Sequence, residues 1–400
     1  MTSYDFDWTP RTRLVCGWGS LERLGTIARE LGGRRVLVVT DAGLVAAGHV
    51  ARAEAILARA GLAVVRFAGV HENPTTDDVE ACVLRAREAA IDLIVGLGGG
   101  SSLDTAKGCN FLLTGGGRMH DYQGYGKARA PMLPMIAVPT TAGTGSECQS
   151  YALIADAATH QKMACGDPGA APRVALLDPE LTLSQPPRVT ACTGVDALAH
   201  AIESAVTRRR TPLSDAFATR AFVLIAGALR RVLLTPDDRD ARARMQLGAA
   251  LAGMAIEASM LGAAHSLANP LTAHYGIVHG QAVGMALPAV IRFNAALPEV
   301  ARIYRDLLLA AGLPAPADGA EGEALARWVE ETLALAGFPR SLAECGVEKA
   351  AVPRLAAEAA AQWTAQFNPR PLSEGDFVAL YRAALAGRDA VAGPPAVAPR

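Results

Sequence analysis

Aromatic side chains are scarce in this chain: Phe, Trp and Tyr together supply 5% of its 400 residues. Packing therefore falls to small and aliphatic side chains, alanine above all, which suit closely packed helices. A charge excess is also missing. With 38 basic and 39 acidic residues the formal net charge is −1. No global field draws in nucleic acid or anionic lipid, and neither is expected as a main partner. No uninterrupted apolar run of about 18 residues occurs, so no membrane span is expected. The opening stretch MTSYDFDWTPRTR is polar and lacks the apolar centre of a signal peptide. The seven cysteines (Cys16, Cys82, Cys109, Cys148, Cys165, Cys192 and Cys345) are odd in number, and none forms a Cys-x-x-Cys pair. A disulfide framework or a zinc ribbon is not expected; reduced thiols in a cytoplasmic protein are.

What the chain does hold is core material. Hydrophobic residues at 51% and charged residues at 19% exclude a disordered chain. At roughly 100–200 residues per domain, the length suggests two domains. In the first half, strand-like runs alternate with helical stretches. Val36–Thr40, Leu62–Phe67, Leu93–Leu97, Met135–Val138 and Val174–Leu177 read as strands. Leu44–Ala60 and Thr76–Ala90 read as helices, the second capped by Thr76-Asp77-Asp78. This alternation predicts βαβ units and a parallel sheet. After about residue 190 the β-branched runs stop. Helices are expected from Thr193 to Val206 and over Ser214–Leu234, Arg239–Leu261, Pro298–Ala311, Glu321–Leu335 and Val352–Gln366, with a last one from Ser373. The expected division is an α/β domain over 1–188, a helical domain over 189–388, and an Ala/Pro/Gly-rich, frayed tail over 389–400. No internal repeat is present.

Gly98-Gly99-Gly100-Ser101-Ser102 follows a strand and opens a helix. Glycines let backbone N–H groups approach a pyrophosphate, and the helix N-terminus adds about half a positive charge. The spacing is neither Gly-x-Gly-x-x-Gly nor a P-loop, so a plain tight turn is the competing reading. A second strand-to-loop segment, Pro139 to Glu147, sets the hydroxyls of Thr140, Thr141, Thr144 and Ser146 beside flexible glycines, which suits sugar or phosphate oxygens. It could equally be a surface loop. Asp41 ends the strand Val36–Thr40. A carboxylate there can accept bonds from an adenosine ribose and would repel a 2′-phosphate, favouring NAD over NADP. Alternatively it caps the next turn.

Eight histidines are present. Asp196 and His200, four apart in the apolar stretch GVDALAHAIE, project from one helical face. An acid and an imidazole on such a face need a partner, because uncompensated buried charge is costly. His265 lies in GAAHSLANP and His279 in GIVHGQAVG. Together the four could form an Asp/His/His/His set for a divalent transition metal. Singly, each is more simply an intrahelical pair or a satisfied core histidine. Arg208-Arg209-Arg210 reads as a solvated helix end.

In order and approximate spacing, GGGSSLDTAK, PTTAGTGSE, GVDALAHAIE and HSLANP…GIVHG resemble the iron-containing (group III) alcohol dehydrogenases. The resemblance runs from TRLVCGWGSLERLG to NPRPLSEGD, nearly the whole chain. It implies the dehydroquinate synthase-like fold of that family: an α/β N-terminal domain with a parallel Rossmann-like sheet, then an all-α C-terminal domain. It implies NAD(P), with NAD preferred for Asp41, and a divalent metal, Fe2+ with Zn2+ as the alternative. It implies a small alcohol or aldehyde substrate and a homodimer or larger homo-oligomer. Residue by residue, it puts pyrophosphate at Gly98, Gly99, Gly100, Ser101 and Ser102, and ribose at Asp41. It has Asn73, Thr140, Thr141 and Thr144 lining the cofactor, and Lys162 and Leu181 beside ribose and nicotinamide. Asp104 faces the nicotinamide side. Asp196, His200, His265 and His279 hold the metal.

One departure stands out. Many relatives carry a histidine four residues after the third ligand, thought to help move the alcohol proton; here that residue is Asn269. His274, nine residues after His265, is a candidate substitute. Nine residues turn about 900° on a continuous helix, which is the opposite face. His274 can serve only if Pro270 breaks the helix. The mechanism implied is Lewis-acid polarisation of the substrate oxygen with hydride passing to or from nicotinamide C4. Two alternatives stay open. A lyase or cyclase of the dehydroquinate-synthase type would need a basic pocket, and no Lys/Arg cluster lies near the ligand motifs. A non-catalytic scaffold that binds nucleotide and metal is the other. A metal-independent relative such as a maleylacetate reductase fits less well, since all four ligand positions are intact.

Overall fold

The computed structural model describes residues 5–159, 161–316 and 319–387; the tail expected over 389–400 lies outside the described residues. Among the described residues no single helix is long and apolar enough to cross a membrane.

The strands are β1 (Arg13–Cys16), β2 (Arg35–Val39), β3 (Ala63–Phe67), β4 (Leu93–Gly98), β5 (Gly124–Tyr125), β6 (Met135–Pro139), β7 (Tyr151–Ala155), β8 (Lys162–Gly166) and β9 (Val174–Leu177). Six of them form one parallel sheet in the order β1-β9-β6-β4-β2-β3. Its central strands β4 and β6 are buried throughout, as expected of a sheet covered on both faces. Side chains alternate between those faces. Leu37, Val39 and Ile94 join one apolar cluster, and Val36, Val38, Leu93 and Val95 join the other. The covering helices are α1 (Leu24–Glu30), α2 (Ala42–Ala46), α3 (His49–Arg59), α4 (Thr76–Glu88) and α5 (Gly100–Gly115).

Local chemistry adjusts several expected elements. The helix expected over Leu44–Ala60 breaks at Ala47-Gly48 into α2 and α3. The cap of α4 is Thr75, not Thr76, in a reciprocal capping box with Asp78. The β7–β8 antiparallel pair, with β5 alongside, was not legible in the sequence. YALIA and KMACG are short and poor in β-branched residues, and their pairing to each other is what makes them strands.

The following helices are α6 (Pro187–Val206), α7 (Pro212–Ala226), α8 (Leu229–Leu234) and α9 (Arg239–Ala258). The single helix expected over Ser214–Leu234 is thus two. The last strand ends at Leu177, ahead of the boundary expected at 188, and packing divides the chain elsewhere. Residues up to Ala205 and Arg209–Met260 form one compact unit. Helix α9 belongs to the sheet-bearing unit because it is tied to the strand ends. Gln246 Nε2 donates to the Pro139 carbonyl (3.1 Å), and Glu257 accepts from the Ser150 N–H (3.0 Å) and Oγ (2.7 Å). Gly253 touches Gly145, and a Cβ at Gly253 would overlap the Gly145 carbonyl oxygen. Backbone against backbone cannot yield cheaply. Gly253→Ala is therefore expected to cost roughly 2–3 kcal/mol. Chemical unfolding checks this; a change under about 0.5 kcal/mol would refute it.

The second unit holds α10 (Ala263–Tyr275), α11 (His279–Asn294), α12 (Pro298–Ala310), α13 (Glu321–Leu335), α14 (Val352–Ala360) and α15 (Glu374–Ala386). Helices α10 and α11 pack together, α13 and α15 pack on α11, and α14 packs on α10. The helix expected over Val352–Gln366 stops at Ala360.

Candidate functional site

The two glycine-bearing loops meet at the carboxyl ends of adjacent strands. Strand β4 ends at Gly98, and Thr140 after β6 donates its N–H to the Gly98 carbonyl (3.0 Å). Gly98 has φ +156°, and a Cβ there would overlap Ser102 Oγ; a Cβ on Gly100 would stand 2.7 Å from Thr144 Cγ2. Any larger residue would thus push apart the segments around Gly98–Ser102 and Thr140–Thr144. No side chain caps α5 at Gly99. Its first N–H groups and its positive end remain available to an anion. Ser102 is 1% exposed, and its Oγ has no hydrogen-bond partner among the described residues. A buried hydroxyl left this way costs about 1–3 kcal/mol, so this cradle fits an oxygen-rich anion.

Around it, Leu44 reaches toward Gly98. Asp41 just before it spends Oδ1 on the Leu44 N–H (3.0 Å), capping α2. The capping alternative is therefore realised for one of its oxygens. Asn73 sits at φ +54°, a conformation Asn tolerates better than most residues, two residues before the α4 cap. Leu181 does not join the polar residues. It is fully buried in the apolar cluster with Val15, Leu21 and Val138, so its side chain packs the core.

Behind the cradle lies a buried ionic cluster. Asp104, on α5, accepts from Ser146 Oγ (2.7 Å) and from the Leu153 N–H (3.2 Å). Lys107, one turn on and fully buried, donates to the Ser146 carbonyl (2.6 Å), Ser146 Oγ (2.7 Å) and the Tyr151 carbonyl (2.9 Å). Its Nζ stands 3.9 Å from Asp104 Oδ1. Burial pushes the Asp104 carboxyl up and the Lys107 ammonium down, each opposed by the other's charge. Lys162, at the start of β8, is likewise pushed down by burial, opposed by Asp104 and Asp196. Sequence reasoning assigned Lys107 no role, and expected Ser146 only as a hydroxyl for sugar or phosphate oxygens. Their signal was there: Asp104 and Lys107 are i, i+3 on one helix.

Glu147, next to Ser146, is 2% exposed, and burial pushes its carboxyl up to about 7, opposed by its own backbone N–H and by Lys107. The folded protein therefore keeps a proton that the unfolded chain releases near pH 4.5. The stability this group contributes is fully present below that pH and is lost as pH rises through about 7. Glu147→Gln should make the variant more stable than the parent at about pH 8, by about 3 kcal/mol at most, with the difference vanishing near pH 4.5. Urea unfolding across that range tests it; a pH-independent difference would exclude this assignment.

Asp196 and His200 are buried on α6, at 5% and 4% exposure, with Oδ1 and Nε2 3.5 Å apart. Two donors each about 2.1 Å from one cation stand about 3–3.5 Å apart, so this pair fits a shared ion. In the second unit, His265 lies in the first turn of α10 and His279 opens α11; their ring centroids are 5.5 Å apart. Two imidazoles on one ion place their centroids about 5–6 Å apart, so that pair also fits. A carboxylate beside an imidazole, and a pair of imidazoles, are each donor types that suit a divalent transition metal.

Asn269 Nδ2 donates to Gln362 Oε1 (2.9 Å). His274 does not substitute for the missing imidazole. Helix α10 runs through Pro270 without ending, which keeps His274 on the face opposite His265. There it is exposed, with Nε2 2.7 Å from Glu358.

A family model described as iron-containing alcohol dehydrogenase matches residues 10–179, and one described as the C-terminal part of that family matches residues 190–385. The chain is 34% identical to the NAD-dependent methanol dehydrogenase of Bacillus methanolicus, covering 93% of this chain and 97% of that one. It is 35% identical to the lactaldehyde reductase of Escherichia coli K12, covering 92% and 96%. A crystal structure of a 1,3-propanediol oxidoreductase superposes with a TM-score of 0.91 at 32% identity, covering 95% of this chain and 100% of that one.

Proposed function

Because the chain belongs to the iron-containing alcohol dehydrogenase family, and is an oxidoreductase of that kind, we propose that it interconverts a small alcohol and its carbonyl compound using NAD and one divalent cation. When bound, the nicotinamide supplies the hydride chemistry and the cation supplies Lewis acidity toward the substrate oxygen.

The chain's own residues divide the remaining work. The N–H groups of Gly98 to Ser102 receive the pyrophosphate, and the Ser102 hydroxyl gains an acceptor it otherwise lacks. Asp41 offers its carboxylate to the adenosine ribose and repels a 2′-phosphate, which selects NAD over NADP. Asn73, Thr140, Thr141 and Thr144 line the cofactor. Lys162 meets the ribose on the nicotinamide side, and Asp104 holds the floor beneath it. Asp196, His200, His265 and His279 hold the cation, and one carboxylate with three neutral imidazoles leaves a divalent ion at net +1. Asn269 cannot take up a proton; it orients Gln362.

The observation that carries this reading is the buried Asp196–His200 pair on α6, with its donor atoms 3.5 Å apart. NAD is further supported by the name of the methanol dehydrogenase, and a short alcohol by the methanol, lactaldehyde and 1,3-propanediol of the relatives' names. Seven free thiols fit a reducing cytoplasm, where a homo-oligomer is the assembly the resemblance implies. Elemental analysis and an alcohol and aldehyde panel with NAD and NADP test the reading. Stoichiometric iron or zinc, with chelator-sensitive, NAD-preferring turnover, is expected. Full turnover after chelation would refute the metal assignment.

A further inference from the structure

Helix α9 carries a row of residues at 242, 246, 249, 253 and 257, one face by spacing. That face runs alongside residues 139–150, the segment that includes the threonine loop. Gln246 Nε2 donates to the Pro139 carbonyl (3.1 Å), Gly253 touches Gly145, and Glu257 accepts from Ser150. Arg242, at the head of the row, is 2% exposed. No carboxylate pairs with it among the described residues, an expensive arrangement for a buried cation.

Its fork is nonetheless in use. Nε donates to the Pro236 carbonyl (2.7 Å), and Nη1 to Thr190 Oγ1 (3.1 Å) and Gln185 Oε1 (3.3 Å). Thr190 Oγ1 also donates to Gln185 Oε1 (3.2 Å). An amide has one accepting end and one donating end. With the oxygen held by two donors, the Gln185 NH2 is turned to the Thr140 carbonyl, at 2.6 Å.

We propose that Arg242, acting through Gln185, and Gln246, acting directly, are positioning residues that set the Pro139–Thr144 loop in the conformation that receives the dinucleotide. The proposal rests on the reading of that loop as part of the NAD site. The guanidinium holds both donors in place, because it binds the Gln185 oxygen and also the Thr190 hydroxyl that donates to that oxygen.

Gln185→Glu separates this role from simple structural support. The carboxylate gives Arg242 the counter-charge it lacks, so thermal stability should hold or rise. It also removes the donor to the Thr140 carbonyl and sets oxygen against oxygen. Amide exchange over residues 140–144 of the cofactor-free protein should quicken about tenfold. The NADH dissociation constant, from fluorescence titration, should rise about tenfold, while kcat at saturating NADH stays within about twofold. Arg242→Lys keeps the charge but loses the fork, and should reproduce both losses. Unchanged loop exchange in Gln185→Glu, or full NADH affinity in Arg242→Lys, would overturn the proposal. If loop exchange quickens but the parent protein takes up no NADH, the cofactor reading of the loop fails, and the dinucleotide role with it.

Discussion

Asp196→Asn is expected to leave the protein folded, strip it of stoichiometric metal and lower NAD-linked alcohol oxidation by about a thousandfold or more. The substitution keeps the shape of the side chain and removes the one carboxylate among the four proposed donors. A neutral amide binds a divalent ion far less well, and the remaining imidazoles share the loss. Lewis-acid stabilisation of charge on the substrate oxygen is worth several kcal/mol, and each 1.36 kcal/mol is a factor of ten in rate, hence about three orders of magnitude. His265→Ala should behave alike from the other pair of donors. Metal content per chain, circular dichroism and steady-state rates together read the result. A metal-free Asp196→Asn protein that turns over at the parent rate would remove the cation from the mechanism. Loss of activity with full metal retained would move Asp196 out of the donor set.

Lys107→Met should be the most damaging substitution for the fold of the sheet-bearing unit. Met fills much of the same volume, so the loss isolates the ammonium group. That group is fully buried and binds three oxygens: the carbonyls of Ser146 and Tyr151 and the Ser146 hydroxyl. Without it both carbonyls lose a donor, and the buried Asp104 carboxylate loses the larger of its two cationic influences, Lys162 being the other. Breaking a buried pair by deleting one partner costs about 3–5 kcal/mol. Lys107→Arg should recover little of this, because a planar fork cannot meet three oxygens gathered around a point charge. Equilibrium unfolding of both variants measures the effect. A Met variant within about 1 kcal/mol of the parent would show that the cluster contributes almost nothing to stability.

These two sites differ in how far the sequence reveals them. The pattern at Asp196 and His200 was readable because a helix repeats every 3.6 residues: two polar groups four apart in an apolar stretch must share a face. The parallel sheet was readable for a similar reason, since strands buried on both faces leave uninterrupted runs such as Leu93–Leu97. Local period and composition therefore indicated the parallel α/β region, the main strands, the glycine turn at Gly98 and the candidate donors.

Relations between distant segments were another matter. That Leu181 packs the core with Val15, Leu21 and Val138 depends on where its side chain ends up. That Lys107 clamps Ser146 and Tyr151, or that α9 runs along the threonine loop and belongs with the sheet, depends on contacts between residues far apart in the chain. Such contacts form only when the chain is packed, and nothing in the spacing of one segment encodes which carbonyl of another it will meet.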